Sequence, residues 1–283
     1  MKLALLTAVA MLAFAGNSLL CRLALQHMGI DAASFTSVRI VSGALVLWLI
    51  AARRGGGPQP KRLRGGWVSA LALFVYAEAF SFAYLSLPAG TGALLLFAAV
   101  QISMIGWGLY RGEQFTRWQV IGFMLAIGGL VLLLLPGIAA PPLGGAMLMT
   151  AAGVAWAVYS LKGRGSGDPT GATAGNFVRA APLALAVSAA MFSAMRWSPA
   201  GIGWGVASGA LTSGLGYVIW YRALRELRVT SAAAVQLSVP VIAAFGGVIF
   251  LGESASLRLA ASSVLVLGGV GLVLFVRRQG TSR

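Results

Sequence analysis

The sequence predicts an all-α membrane protein: ten transmembrane helices arranged as two inverted repeats of five. Three observations predict it. The 283 residues are 59% hydrophobic and only 10% charged, with mean hydropathy +0.87. A soluble domain carries about 25% charged residues, and a chain this poor in polar surface needs lipid as its solvent. Apolar stretches of about 20 residues, each long enough to cross roughly 30 Å of hydrocarbon, recur from one end to the other. The pattern also repeats at an offset of about 140 positions. Gly112-Glu113 and Gly128-Gly129 return as Gly252-Glu253 and Gly268-Gly269, and Val38-Arg39 returns as Val178-Arg179. Duplication in so apolar a chain points to transport.

The elements follow in order. Span 3–21 lies between Lys2 and Arg22. Span 33–52 ends in Arg53-Arg54 and is separated from span 66–86 by Gly55-Gly-Gly-Pro58 and the basic run Lys61 to Arg64. Span 89–110 starts behind Pro88, a proline at a span start, where it is tolerated. Span 118–136 ends at Pro136-Gly137, and Pro141-Pro142 opens the second half. Spans 143–161 and 172–194 flank a break from Gly163 to Pro169, and Ser198-Pro199 introduces span 200–221. Spans 230–251 and 257–276 complete the set. The first repeat is expected over 1–140 and the second over 141–283. Five is odd, so the second half crosses in the opposite sense, and the halves should be related by a pseudo-two-fold axis in the membrane plane. Exchanging the two related shapes would give alternating access.

The basic residues orient the chain. With the N-terminus inside, the inner segments hold Lys2, Arg53, Arg54, Lys61, Arg62, Arg64, Arg111, Arg117, Lys162, Arg164, Arg222, Arg225, Arg228, Arg277, Arg278 and Arg283. The outer ones hold only Arg22, Arg196 and Arg258. Lys and Arg mark cytoplasmic loops, so both termini are expected in the cytoplasm, with a bacterial inner membrane as the location. Most of the formal charge of +15 is then a topology signal rather than a nucleic-acid footprint. Met1 to Gly16 also has the look of a cleaved leader, with Ala13-Phe-Ala15 as an A-x-A site. Its removal would leave nine spans and reverse the charge bias.

One cysteine, Cys21, and one histidine, His27, exclude a disulfide framework and leave no basis for a metal site or a catalytic triad. No P-loop or zinc-protease motif is present. No cofactor, no metal and no enzyme activity are expected.

The run Gly214 to Leu224, Ala232 to Val241 with Pro240, Leu251-Gly-Glu253 and Gly268-Gly269 resembles the EamA-type domain of the drug/metabolite transporter superfamily. The first half carries a matching Tyr84-Leu-Ser-Leu, Pro88 to Gln101, Gly112-Glu113 and Gly128-Gly129. The order and spacing of these short motifs carry the resemblance over nearly the whole chain. It implies ten helices, cytoplasmic termini and a central cavity lined by spans 1, 3, 4, 6, 8 and 9, with spans 5 and 10 peripheral. Within the superfamily the chain looks most like the bacterial aromatic amino-acid exporter branch, of YddG type.

Candidate substrate-binding residues are Asn17 on span 1, Glu78 and Phe82 on span 3, Phe97 and Gln101 on span 4, Trp156 and Tyr159 on span 6, Tyr217 on span 8 and Gln236 on span 9. They would give aromatic walls with a few orienting polar groups, the usual make-up of a small-molecule site. Glu78 is the carboxylate well inside a span; it reads either as an amine- or proton-binding group or as a structural partner of Arg39. Arg39 and Arg179 read as carboxylate clamps or, since spans 2 and 7 flank the cavity, as arginines capping carbonyls or snorkelling to the interface. Gly201, Gly205, Gly209 and Ser213 form a small-residue ridge, for close packing or for sliding. Pro240 is a hinge candidate. Trp48, Trp67, Trp107, Trp118 and Trp197 read as interfacial belt residues.

The expected function is export of amino acids with aromatic or large apolar side chains by alternating access, either as facilitated diffusion or linked to protons, with small molecules and lipid as partners and no nucleic acid. The alternative is efflux of drugs or organic cations, which an aromatic cage with one carboxylate also suits.

Overall fold

A computed structural model describes residues 2–54, 64–112, 116–135, 140–163, 167–227, 235–254 and 256–279. Glu113 and residues 228–234, where span 230–251 is expected to begin, lie outside the described residues. Among those described, all regular structure is helical. The helices are α1 (Lys2–His27), α2 (Ala32–Arg54), α3 (Trp67–Ala83), α4 (Ala89–Tyr110), α5 (Arg117–Leu134), α6 (Leu143–Gly163) and α7 (Pro169–Ala190). After a short 3-10 turn at Phe192–Ala194 come α8 (Pro199–Ala207), a π-helical segment (Ser208–Leu215) and α9 (Gly216–Glu226), which run on as one rod. The last two are α10 (Ser238–Leu251) and α11 (Leu257–Gln279).

Among the described residues, six helices are long and apolar enough to cross a membrane: Leu3–His27, Ala32–Arg53, Ala89–Tyr110, Arg117–Leu134, Leu143–Gly163 and Pro199–Ala223. The α3 and α10 helices are apolar but shorter, and α11 is apolar over Leu257–Leu272. The seventh helix has the length but is more polar, because it carries Asn176, Arg179 and an internal Pro182. Its polar groups are used locally. The Asp168 side chain caps its N-terminus by accepting from Gly171 N–H, and Asn176 Oδ1 accepts from Gly66 N–H at 3.1 Å.

The molecule turns large apolar side chains outward. Leu12, Leu71, Met124, Met147, Phe245 and Phe250 are all exposed, a surface suited to lipid. The five tryptophans expected near the interfaces are exposed too.

Packing is organised in pairs: α2 on α7, α3 on α6, α4 on both α6 and α10, and α1 on the α8–α9 rod and α10. The fifth and eleventh helices pack chiefly on each other, away from the centre. A Cβ on Gly129 would meet Leu265 and Val266 at 2.8–2.9 Å, which explains one glycine of that pair by close approach. The small-residue ridge of α8 faces α2. A Cβ on Gly205 would meet Val38 at 2.9 Å, and one on Gly209 would overlap Ser42 Oγ and the Arg39 carbonyl. Pro240 lies in the first turn of α10, and the chain has a turn at Leu237 just before it.

Two polar clusters bind the ends of α1, α3 and α7 to later elements at one end of the bundle. Gly252, at φ 64, closes α10 in the left-handed conformation and turns Glu253 back over the bundle. Glu253 Oε1 then pairs with Arg22 Nε at 3.1 Å and Oε2 accepts from Ala89 N–H at 2.8 Å, while Arg22 Nη1 donates to the Tyr84 carbonyl at 2.8 Å. Nearby, Asp31 accepts from the backbone N–H of Arg196 at 2.8 Å and of Ser34 at 2.9 Å. Burial works to raise the Asp31 carboxyl, but these backbone N–H groups outweigh it and hold the group below its ordinary value of 3.8. Ser198 Oγ also donates to the Met28 carbonyl.

Candidate functional site

The centre of the bundle holds a nearly closed cavity of about 20 Å³, lined by Phe14 and Asn17 of α1, Tyr76 and Phe80 of α3, Leu96 and Phe97 of α4, Trp156 of α6 and Tyr217 of α9. That is room for about one water molecule, so a larger guest requires the walls to separate. The aromatic rings touch one another. Trp156 lies 4.8 Å from Tyr76, 5.0 Å from Tyr217 and 6.2 Å from Phe14, centroid to centroid.

One wall is polar. Asn17 Oδ1 accepts from Ser208 Oγ at 2.7 Å and from Thr212 Oγ1 at 3.1 Å. Its Nδ2 donates to the Tyr76 hydroxyl at 3.4 Å. The same hydroxyl accepts from Arg39 Nη2 at 3.2 Å, and Arg39 Nε donates to Ser213 Oγ at 3.1 Å. The π-helical segment is what delivers these hydroxyls: its wider turn presents Ser208 and Thr212 to α1 and Ser213 to α2. Such segments are rare and frequent at functional sites.

Four expected residues line this cavity together: Asn17, Phe97, Trp156 and Tyr217. The other five surround it or stand apart. Tyr159 stacks behind Trp156 at 5.5 Å, and Gln101 is buried one turn along α4 from Phe97. Gln236 is buried just before the turn that precedes α10. Glu78 and Phe82 fall outside the lining. Tyr76 and Phe80, four apart, share the cavity face of α3, and Glu78 between them lies roughly 200° around the helix. Glu78 is buried with neither carboxylate oxygen hydrogen-bonded among the described residues.

Sequence reasoning passed over Phe14, Tyr76, Phe80 and Leu96. The charge on Glu78 drew the reading to a stripe of α3 other than the one that lines this cavity. The available signal was the aromatic pair Tyr76 and Phe80, spaced to share a face. The two equivalent arginines also part company. Arg179 Nη1 donates to the Gly175 carbonyl at 2.8 Å and to the Arg64 carbonyl at 3.4 Å, the carbonyl-capping role. Arg39 does neither; it is 2% exposed, with its guanidinium 5.0 Å from the Phe80 ring centre and 5.3 Å from that of Tyr76.

A larger groove of about 490 Å³ lies between α2, α7 and α8, walled by residues such as Val38, Val41, Leu185 and Val206. It opens on the flank of the bundle, and its polar side chains are Ser34, Ser37, Ser42 and Ser188, two of which, Ser37 and Ser188, hydrogen-bond each other at 2.7 Å.

Comparison with known proteins places this geometry in context. The profile of the EamA-like transporter family matches residues 1–135 and again 143–275. An uncharacterised protein of Pseudomonas aeruginosa is 54% identical over 99% of this chain and 96% of its own. The threonine/homoserine exporter RhtA of Escherichia coli K12 is 28% identical, covering 96% of this chain and 91% of its own. A probable terminal-alkyne amino-acid exporter of Streptantibioticus cattleyicolor is 26% identical over 89% of this chain and 86% of its own. One crystal structure superposes with a TM-score of 0.70 at 20% identity, covering 99% of both chains, and so shares the fold.

Proposed function

The chain belongs to the EamA-like transporter family, and from that membership we propose that it exports amino acids across a bacterial inner membrane by alternating access. The observation that carries the reading is the closed aromatic cavity with one amide- and hydroxyl-lined wall. An aromatic enclosure suits amino acids with aromatic or large apolar side chains. Relatives named as amino-acid exporters support the substrate class. The aromatic-exporter branch remains the finer assignment, and lipid is the surrounding partner.

The same proposal includes ten spans in two inverted halves, 1–140 and 141–283, with both termini in the cytoplasm. Several observations support it. The family profile matches twice. Gly112 and Gly252, equivalent by the repeat, both have positive φ, 87 and 64. Exchanging the halves maps the packing of α3 on α6 onto that of the α8–α9 rod on α1, and the packing of α4 on α6 onto that of α10 on α1. In this orientation the Arg22–Glu253 and Asp31–Arg196 contacts lie at the outer end, which is closed and must open for release.

The test is counterflow of labelled phenylalanine in proteoliposomes against unlabelled competitors. Competition by phenylalanine, tryptophan and leucine, with threonine weaker and methyl viologen inert, is the expected result. Competition by methyl viologen alone would move the chain to efflux of organic cations. The guanidinium of Arg39 beside the cavity wall weighs against a cationic guest.

A further inference from the structure

We infer that Arg39 is the counter-ion for the substrate's carboxylate, so that the central cavity selects molecules carrying a carboxylate next to an apolar group. The inference rests on the amino-acid reading above and adds the residue that recognises the invariant end of the substrate.

The first observation is a buried guanidinium with no close ion pair; the buried Glu78 carboxylate acts on it only at longer range. Arg39 is 2% exposed and its Nη1 has no hydrogen-bond partner. Among the described residues the ion pair is Arg22 with Glu253, and Arg39 makes none. A buried cation is costly unless an anion pairs with it. The rings of Tyr76 and Phe80 offset part of the charge, yet they leave the Nη1 donors without an acceptor.

The second observation is how the donors converge. Arg39 Nη2 and Asn17 Nδ2 both point at the Tyr76 hydroxyl oxygen, a group of the cavity wall. Tyr76 keeps its own O–H as a third donor. Asn17 is fixed in this orientation because Ser208 and Thr212 donate to its Oδ1, leaving Nδ2 toward Tyr76. Ser213 likewise fixes Arg39 through Nε. Two preorganised donors, from α1 and α2, therefore converge on one acceptor, the Tyr76 oxygen, and the O–H of that phenol is a third donor beside them; a carboxylate set against the three supplies two oxygens where the phenol supplies one. Guanidinium binds carboxylate through paired N–H groups, and the unpaired Nη1 beside the engaged Nη2 is the half of that fork left open. The aromatic rings around Trp156 would hold the apolar end.

The inverted repeat sharpens the point. Arg179, at the equivalent position, is engaged by carbonyls of Gly175 and Arg64. One arginine is engaged by carbonyls, and its counterpart, beside the wall residue Tyr76, keeps Nη1 without an acceptor.

The experiment uses purified full-length protein in nanodiscs, with binding read from tryptophan fluorescence and from ligand-induced thermal shift. The probes are phenylalanine, 3-phenylpropionate, phenylalaninamide and phenethylamine. The two carboxylates should bind at least about tenfold more tightly than the amide and the amine, because a site built to hydrogen-bond a group rejects analogues lacking it. Arg39→Lys, which keeps the charge but not the fork, should lose several-fold of that preference, and Arg39→Gln should abolish it. If Arg39→Gln does not fold, the wild-type ranking and Arg39→Lys decide. Equal binding of all four probes, no binding of either carboxylate, or an unchanged preference in Arg39→Lys overturns the inference. Carboxylate-selective binding without phenylalanine flux would remove the export reading and leave the site. Phenylalanine flux inhibited equally by phenylalaninamide would do the reverse.

Discussion

At the scale of single residues, polar groups in an apolar chain divide by whether neighbours use them. Asn17 has both ends of its amide engaged, and that it would need partners was legible in the sequence because an amide in mid-span cannot be left unsatisfied. Arg39 was visible, but its contacts with Tyr76 and Ser213 were not, since its sequence position matches that of Arg179 in the repeat, and only the packing separates them. Glu78 was legible as a buried carboxylate, yet its direction was not, because facing depends on the rotation of α3. Its place away from the cavity lining makes it a proton-site candidate rather than an amine ligand. Glu78→Gln should therefore flatten the pH dependence of export and leave phenylalanine affinity within about twofold. Counterflow at several pH values checks this; a large affinity loss would put Glu78 back among the substrate contacts, and an unchanged pH profile would end its proton role.

At the scale of elements, apolar length and breaks at Gly and Pro located most helices within a turn. The seventh helix was shifted, starting at Pro169 with Asp168 as its cap rather than at 172. The π-helical segment was not legible, because nothing in Ser208 to Leu215 distinguishes a wide turn from an ordinary one until α1 and α2 pack against it. The glycine ridge was legible as a close-packing surface, and its partner proves to be α2. Gly209→Val should destabilise the protein by about 1–3 kcal/mol, the usual cost of overpacking, because its side chain would enter the space of Ser42 and the Arg39 carbonyl. Gly203→Val, at a position with nothing within 4 Å, should leave the melting temperature close to wild type. Equal melting temperatures for the two variants in detergent would show that the ridge is loosely packed and free to slide.

At the scale of the whole molecule, a chain that matches the family profile twice packs its helices around one small cavity. The resemblance to transporters was carried by motifs at helix ends, such as Gly252-Glu253, whose left-handed glycine aims the carboxylate at Arg22. The interior aromatics gave a cavity only after packing selected four of the nine expected residues and added Phe14, Tyr76, Phe80 and Leu96. The central claim is that amino acids cross through this cavity, with Trp156 at its hub in contact with Phe14, Tyr76, Tyr159 and Tyr217. The most direct measurement is phenylalanine counterflow in proteoliposomes by wild type and by Trp156→Ala at matched folded protein. Saturable flux in wild type, reduced about tenfold or more in the variant, equivalent to at least roughly 1.4 kcal/mol, is the predicted result. Equal flux in both proteins, or none in wild type, would contradict it.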